Sequence, residues 1–140
     1  LVTLTIAARF AETLTYTVRV PGRHYSGQSN QQILEWLEES GRPFTADTPE
    51  LRAYVRERLV DVFGRVEWDV ARASRIAGRA IVEWVVRRFE HQGGDVSLAP
   101  LQSAYRRWKG AHGYSSQIGV RTGMLLANVR RATADVRAAA

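Results

Sequence analysis

Three features of the sequence predict an α+β fold. Apolar residues alternate with threonine near the start. A very long run of helix-spaced apolar positions fills the middle. Glycine-rich breaks then separate shorter helical stretches. The expected arrangement is an N-terminal β-hairpin or small antiparallel sheet packed with a long central α-helix and shorter C-terminal helices. The 140 residues, 45% hydrophobic, suffice for a single domain over 1–140 with one modest core.

The hairpin is expected over residues 1–22. Val2, Leu4 and Ile6 alternate with Thr3 and Thr5, and Leu14, Tyr16, Val18 and Val20 alternate with Thr13, Thr15, Thr17 and Arg19. That period of two suits a sheet with one wet face. Pro21-Gly22 ends the second strand, and a polar loop follows. A short helix is expected over 30–40, capped by Ser29 or Asn30 and stopped by Gly41. Ile33, Leu34 and Leu37 form its apolar face, with Trp36 at the edge.

Asp47-Thr48-Pro49-Glu50 is a helix start, with a capping side chain and a proline in the first turn. From Leu51 through Val55, Leu59, Val62, Val66, Val70, Ala73, Ala77 and Ile81 to Trp84 the apolar positions keep an eleven-residue repeat. One helix over 48–91 would be about 65 Å long at ~1.5 Å per residue. Ile81–Val86 is also acceptable as a strand by composition. A second stripe, Gly64, Trp68, Ala71, Gly78, Val82 and Phe89, implies cover on two sides. That cover comes either from within the protomer or from a neighbouring copy. The length favours a neighbour, which would place Trp68 and Val82 at an interface.

His91 to Asp95 is a break. A helix over 98–110 is expected next, capped by Ser97 with Pro100 in its first turn and Leu101, Tyr105 and Trp108 on one face. A glycine-rich loop over 110–123 and an Ala-rich helix over 123–138 complete the chain.

Composition narrows the function. No apolar run reaches the ~20 residues of a membrane span, and no stretch reads as a secretory signal. With no cysteine there is no disulfide, thiol nucleophile or Cys-ligated zinc. The net charge is +6, and nineteen of the twenty basic residues are arginine, Lys109 being the exception. Such a balance admits nucleic acid or an acidic protein surface as partner. His24, His91 and His112 lack metal-ligand spacing. His112 with Ser115 and Ser116 has no nucleophile elbow around it. Gly119 to Gly123 lacks the spacing of a phosphate loop. No catalytic, cofactor-binding or metal-binding residue is nominated, and the chain reads as a non-enzyme. Arg72, Arg75, Arg79, Arg87, Arg88, Arg106, Arg107, Arg130 and Arg131 could neutralise phosphates, but acids interleave with them and no recognition motif appears. A basic nucleic-acid-binding module is the alternative function.

The stretch LAPLQSAYRRWKGAHGYSSQIGVRTGMLLANV, Leu98 to Val129, carries a Pro-Leu helix start, an aromatic and a basic residue, a glycine-rich loop and a Thr-Gly-x-Leu segment. It resembles the phage virion-morphogenesis and tail-completion proteins of the head–tail joint. The matching positions are Pro100, Leu101, Tyr105, Trp108, Lys109, Arg121, Thr122, Gly123 and Leu125. Many members carry further β structure after that segment, where this tail reads as helix. The resemblance implies a structural subunit of a virion neck or tail, made in the host cytoplasm, with no cofactor. It would act as a homo-oligomeric ring docked to other neck or tail proteins, with genomic DNA passing through without sequence specificity. It also implies interface roles for Trp108, Lys109, Arg121, Thr122, Gly123 and Leu125. Thr122 would cap the last helix, Gly123 allow close backbone approach, and Arg121 pair with a neighbour's carboxylate.

Overall fold

The computed structural model describes residues 2–23, 27–113, 117–118 and 124–139, save the Met124 side chain. The fold is α+β, with six helices and a two-stranded antiparallel sheet among the described residues. The chain forms two compact units. The first holds Leu1–Arg19, Asp47–Trp84 and Thr133–Ala140; the second holds Val20–Ala46 and Val85–Ala132.

In the first unit, Val2–Thr13 is helix α1, not a strand. Ala7, Phe10 and Ala11 are buried at i, i+3, i+4, whereas Val2 is 76% exposed. The helical face therefore outweighs the Val-Thr-Leu-Thr-Ile alternation. Strand β1, Thr15–Arg19, does not close a hairpin. It pairs antiparallel with β2, Thr133–Arg137, with Thr15 opposite Arg137 and Arg19 opposite Thr133. Arg19 and Asp135 form an ion pair across that ladder.

The expected 48–91 rod is two helices, α3 (Pro49–Phe63) and α4 (Val70–Glu90). Thr48 caps α3, accepting from the Leu51 N–H. Gly64 ends α3, and Asp69 accepts from the Ala71 and Arg72 N–H groups to start α4. The chain reverses between them, so that Tyr54 near the start of α3 meets Glu83 and Trp84 of α4. Val66 and Val70, which kept the repeat unbroken on paper, are 41% and 54% exposed. Leu51, Val55, Leu59, Ala73, Ala77 and Ile81 are fully buried within one copy. Arg52 braces the unit. Its guanidinium, gripped by Asp47 at 2.7 Å, donates to the Ala11 and Leu14 carbonyls at the end of α1. Those are groups the helix cannot satisfy internally.

In the second unit, α2 (Asn30–Glu39) opens with a capping box between Ser29 and Gln32 and buries Leu34 and Leu37. Phe44 and Phe89 stack at 3.8 Å between ring centroids. Arg88, with 1% of its side chain exposed, makes a bidentate ion pair with Asp95, donating two hydrogen bonds to its carboxylate, and donates to the Phe44 and Ala46 carbonyls. At the end of α4, Gln92 takes φ 53°, and its side-chain amide pairs with the Ile118 backbone.

Residues expected in a helix over 98–110 divide in two. Helix α5 covers only Ser103–Ala111. Upstream, the Ala99 N–H donates to the Gly41 carbonyl, and Arg42 holds the Ala99 and Pro100 carbonyls. Backbone committed to those partners cannot enter a helical ladder. Helix α6 is the short Met124–Val129, so the expected 123–138 helix ends early and gives way to β2. There Thr-Ala-Asp-Val-Arg has the alternation and the β1 partner that a strand needs.

Candidate interaction site

Helix α5 is unusual in what it buries. Lys109 is its one buried residue, at 2% exposure, while Tyr105 and Trp108 are 40% and 37% exposed. Nine residues without apolar anchorage make a marginal helix on their own. Its surface is organised by aromatic contact. Tyr105 and Trp108 stack at 5.8 Å with 14° between their planes, and Trp108 meets His112 at 4.5 Å. The His112 Nδ1 lies 2.8 Å from the Trp108 carbonyl, at the end of the helix. The three rings follow i, i+3, i+7 spacing, which lays them along one face. Arg106 and Arg107 are exposed beside them.

Lys109 turns inward. Its ammonium donates to the Gln117 carbonyl at 3.0 Å and sits 5.8 Å from the Tyr105 ring centre. Burial pushes its pKa below the usual lysine value. Lys109 therefore ties the following loop to α5 rather than offering a surface charge. The arrangement has the ingredients of a protein-docking face: rigid aromatic area, flanking guanidinium groups and little internal burial.

The other expected interface residues have different surroundings. Leu125 is buried at 6% exposure with Leu126 and Val129 in the second unit. Val82 is buried at 8%. Trp68 packs on Phe10 at 5.4 Å and Phe63 at 4.6 Å. Gly78 and Phe89 of the same second stripe are covered as well, Gly78 by the Ala134 backbone. Gly78, Val82 and Phe89 are thus covered within the chain, so the stripe no longer calls for a neighbouring copy at Val82, whereas Gly64 and Ala71 of that stripe are exposed and Trp68 is half-buried. Arg121, Thr122 and Gly123 lie outside the described residues, as do His24, Ser115 and Ser116.

One exposed surface, which the sequence suggests only as a solvated face, was not among the expected interface residues. On α2, Gln32, Glu35, Trp36 and Glu39 share one outward face, and Trp36 is 59% exposed. The i, i+3, i+4, i+7 spacing was available as a signal. Among the described residues no group of three or more His, Asp or Glu side chains could hold a metal ion. No helix among them is long and apolar enough to cross a membrane. No known family, curated protein or solved structure matches this chain.

Proposed function

We propose that this protein is a structural subunit of a phage-like particle at the head–tail joint or tail end, acting by ring assembly and by docking to neighbouring virion proteins. The observation that carries the reading is the Leu98–Val129 stretch. Its aromatic residues Tyr105 and Trp108 are on the exposed face of α5, whereas its basic residue Lys109 is buried. The five-residue strand β2 after α6 narrows one departure from the resembled pattern, in which further β structure follows that segment. A long helix with two bare stripes no longer supports the reading, since those stripes are largely covered within one chain.

On this reading Trp108 and Tyr105 contact a neighbouring virion protein, and Lys109 holds the loop that follows in position. Mass photometry of the protein, alone and with its particle neighbours, tests the reading. A ring or a stoichiometric complex is expected, and Trp108→Ala weakens docking by about tenfold or more, as loss of a central aromatic anchor does. A protein that stays monomeric in both conditions refutes it. Arg72, Arg75 and Arg79, which form no ion pair among the described residues, favour nucleic-acid binding as a second reading. A steep salt dependence with useful affinity near physiological salt would select that reading instead.

A further inference from the structure

Two exposed faces of this chain have opposite character, and both are simple in composition. The outward face of α2 presents Trp36 between Glu35 and Glu39, with Gln32 one turn earlier. Among the described residues neither of these two glutamates pairs with a basic group. Trp36 is the most exposed aromatic ring described, at 59%. The outward face of α4 presents Arg72, Arg75 and Arg79 at i, i+3, i+7, all exposed. Glu83, one turn beyond Arg79, is already engaged by Tyr54 and Arg58. Asp69, before Arg72, is spent on starting α4.

The geometry points to a contact between copies of this chain in which the Trp36 face of α2 in one copy docks on the Arg72-Arg75-Arg79 row of α4 in the next. Charge complementarity selects a second copy as occupant. A chain with net charge +6 offers few acidic surfaces, and this one carries its own aromatic anchor. Arginine over a tryptophan face is the favoured cation–π pair, and its planar fork fits the flanking carboxylates. The two faces are different surfaces, so the contact is heterologous. Repeated from copy to copy it generates a ring if the rotation closes. The inference rests on the proposed ring and supplies its contact.

The test uses two variants of the full chain. One is Glu35→Arg with Glu39→Arg. The other is Arg72→Glu with Arg75→Glu and Arg79→Glu. Glu39→Arg lies in the last turn of α2 and Arg72→Glu in the first turn of α4, where the new charges suit the helix dipole. Far-UV circular dichroism checks that each is folded. Each variant alone is expected to need about tenfold or more the wild-type concentration to associate by sedimentation velocity. An equimolar mixture is expected to regain association, because every acidic face then meets a basic one. Damaged folding could not produce that rescue. Trp36→Ala is expected to weaken association comparably with no change of charge.

Variants that associate like wild type overturn this contact and leave the ring reading intact. Folded variants whose mixture stays monomeric overturn it too. Wild-type protein that never associates, alone or with particle neighbours, overturns both. Loss of duplex DNA binding in the Arg72-Arg75-Arg79 variant with association unchanged assigns the row to nucleic acid and overturns the contact.

Discussion

The two ends of α4 use the same side chain in opposite ways. Near its start, Arg72, Arg75 and Arg79 project into solvent. Near its end, Arg88 is 1% exposed, bonded to Asp95 and to two backbone carbonyls. The difference follows from what surrounds each end. Arg88 lies beside the Phe44–Phe89 stack, where a loop has left the Phe44 and Ala46 carbonyls without a backbone partner that a strand or helix would supply. A five-donor fork satisfies them and a carboxylate together. In this protein arginine is therefore two kinds of residue. Arg42, Arg52 and Arg88 are internal ties, and the Arg72 row is surface charge. The +6 balance counts both kinds alike and overstates the surface charge available to a partner.

Removing the internal tie gives the largest effect. Arg88→Ala strands the Asp95 carboxylate, itself only 6% exposed, and orphans both carbonyls. A loss of about 3–5 kcal/mol is expected in urea unfolding, the cost of leaving one partner of a buried pair alone. Arg88→Met combined with Asp95→Leu should recover much of that loss, because the uncompensated charge is gone. A cost near zero for Arg88→Ala would erase the contrast between the two ends.

Gly78 sharpens the contrast from the covered side of the same helix. A Cβ there would lie 2.9 Å from the Ala134 carbonyl oxygen of β2, a backbone atom that cannot swing away. Overpacking of about 1–3 kcal/mol opposes a helix-propensity gain of about 1 kcal/mol. Gly78→Ala should therefore destabilise by about 1 kcal/mol on balance. Gly110 on α5 has no described atom within 4 Å of such a Cβ, and Gly110→Ala should raise stability by about 0.5–1 kcal/mol. Thermal unfolding of the pair reads both signs.

How much was visible in the sequence depends on how local the cause was. The cap at Ser29, the helix start within Asp47–Glu50, the α2 face and the strand at Thr15–Arg19 depend on neighbours a few residues away and were legible, although the Glu three after Asp47 pointed to that aspartate and the cap is Thr48. The β1–β2 pairing joins residues more than a hundred positions apart, so no hairpin logic could find it. The break between α3 and α4 did have local signs, a glycine at 64 and a capping aspartate at 69. Val66 and Val70 masked them by continuing the apolar repeat, and only their exposure shows that the repeat is accidental there. For the site, Trp108 could be named from the motif. The inward turn of Lys109 depends on the distant Gln117 carbonyl and could not.

The outward row gives a smaller effect. Arg72→Ala, Arg75→Ala and Arg79→Ala should each change stability by no more than about 0.5 kcal/mol, since none is in an ion pair among the described residues and alanine suits a helix. A larger loss in any of the three, measured in urea at low protein concentration, would make it a tie like Arg88.

The acids of α2 repeat the contrast at its smallest scale. Glu35 and Glu39 are exposed, while Glu38 is half-buried and accepts the Thr45 hydroxyl. Burial pushes the Glu38 carboxyl above its usual pKa of 4.5. Hydrogen bonding from Thr45 pulls it back in part, and repulsion from Glu35 adds to the rise. A carboxyl whose pKa is higher folded than unfolded holds its proton more tightly in the native state. Its contribution to stability is full below the unfolded pKa and is lost as pH rises through the folded value. Glu38→Gln keeps an oxygen for Thr45 and removes the titration. The variant should match wild type at pH below 4.5 and be more stable than wild type at pH 7, with the gap opening across the carboxylate range. Equal gaps in urea unfolding at the two pH values would mean that the half-buried position of Glu38 costs its charge nothing, and the inside–outside distinction on α2 would fail.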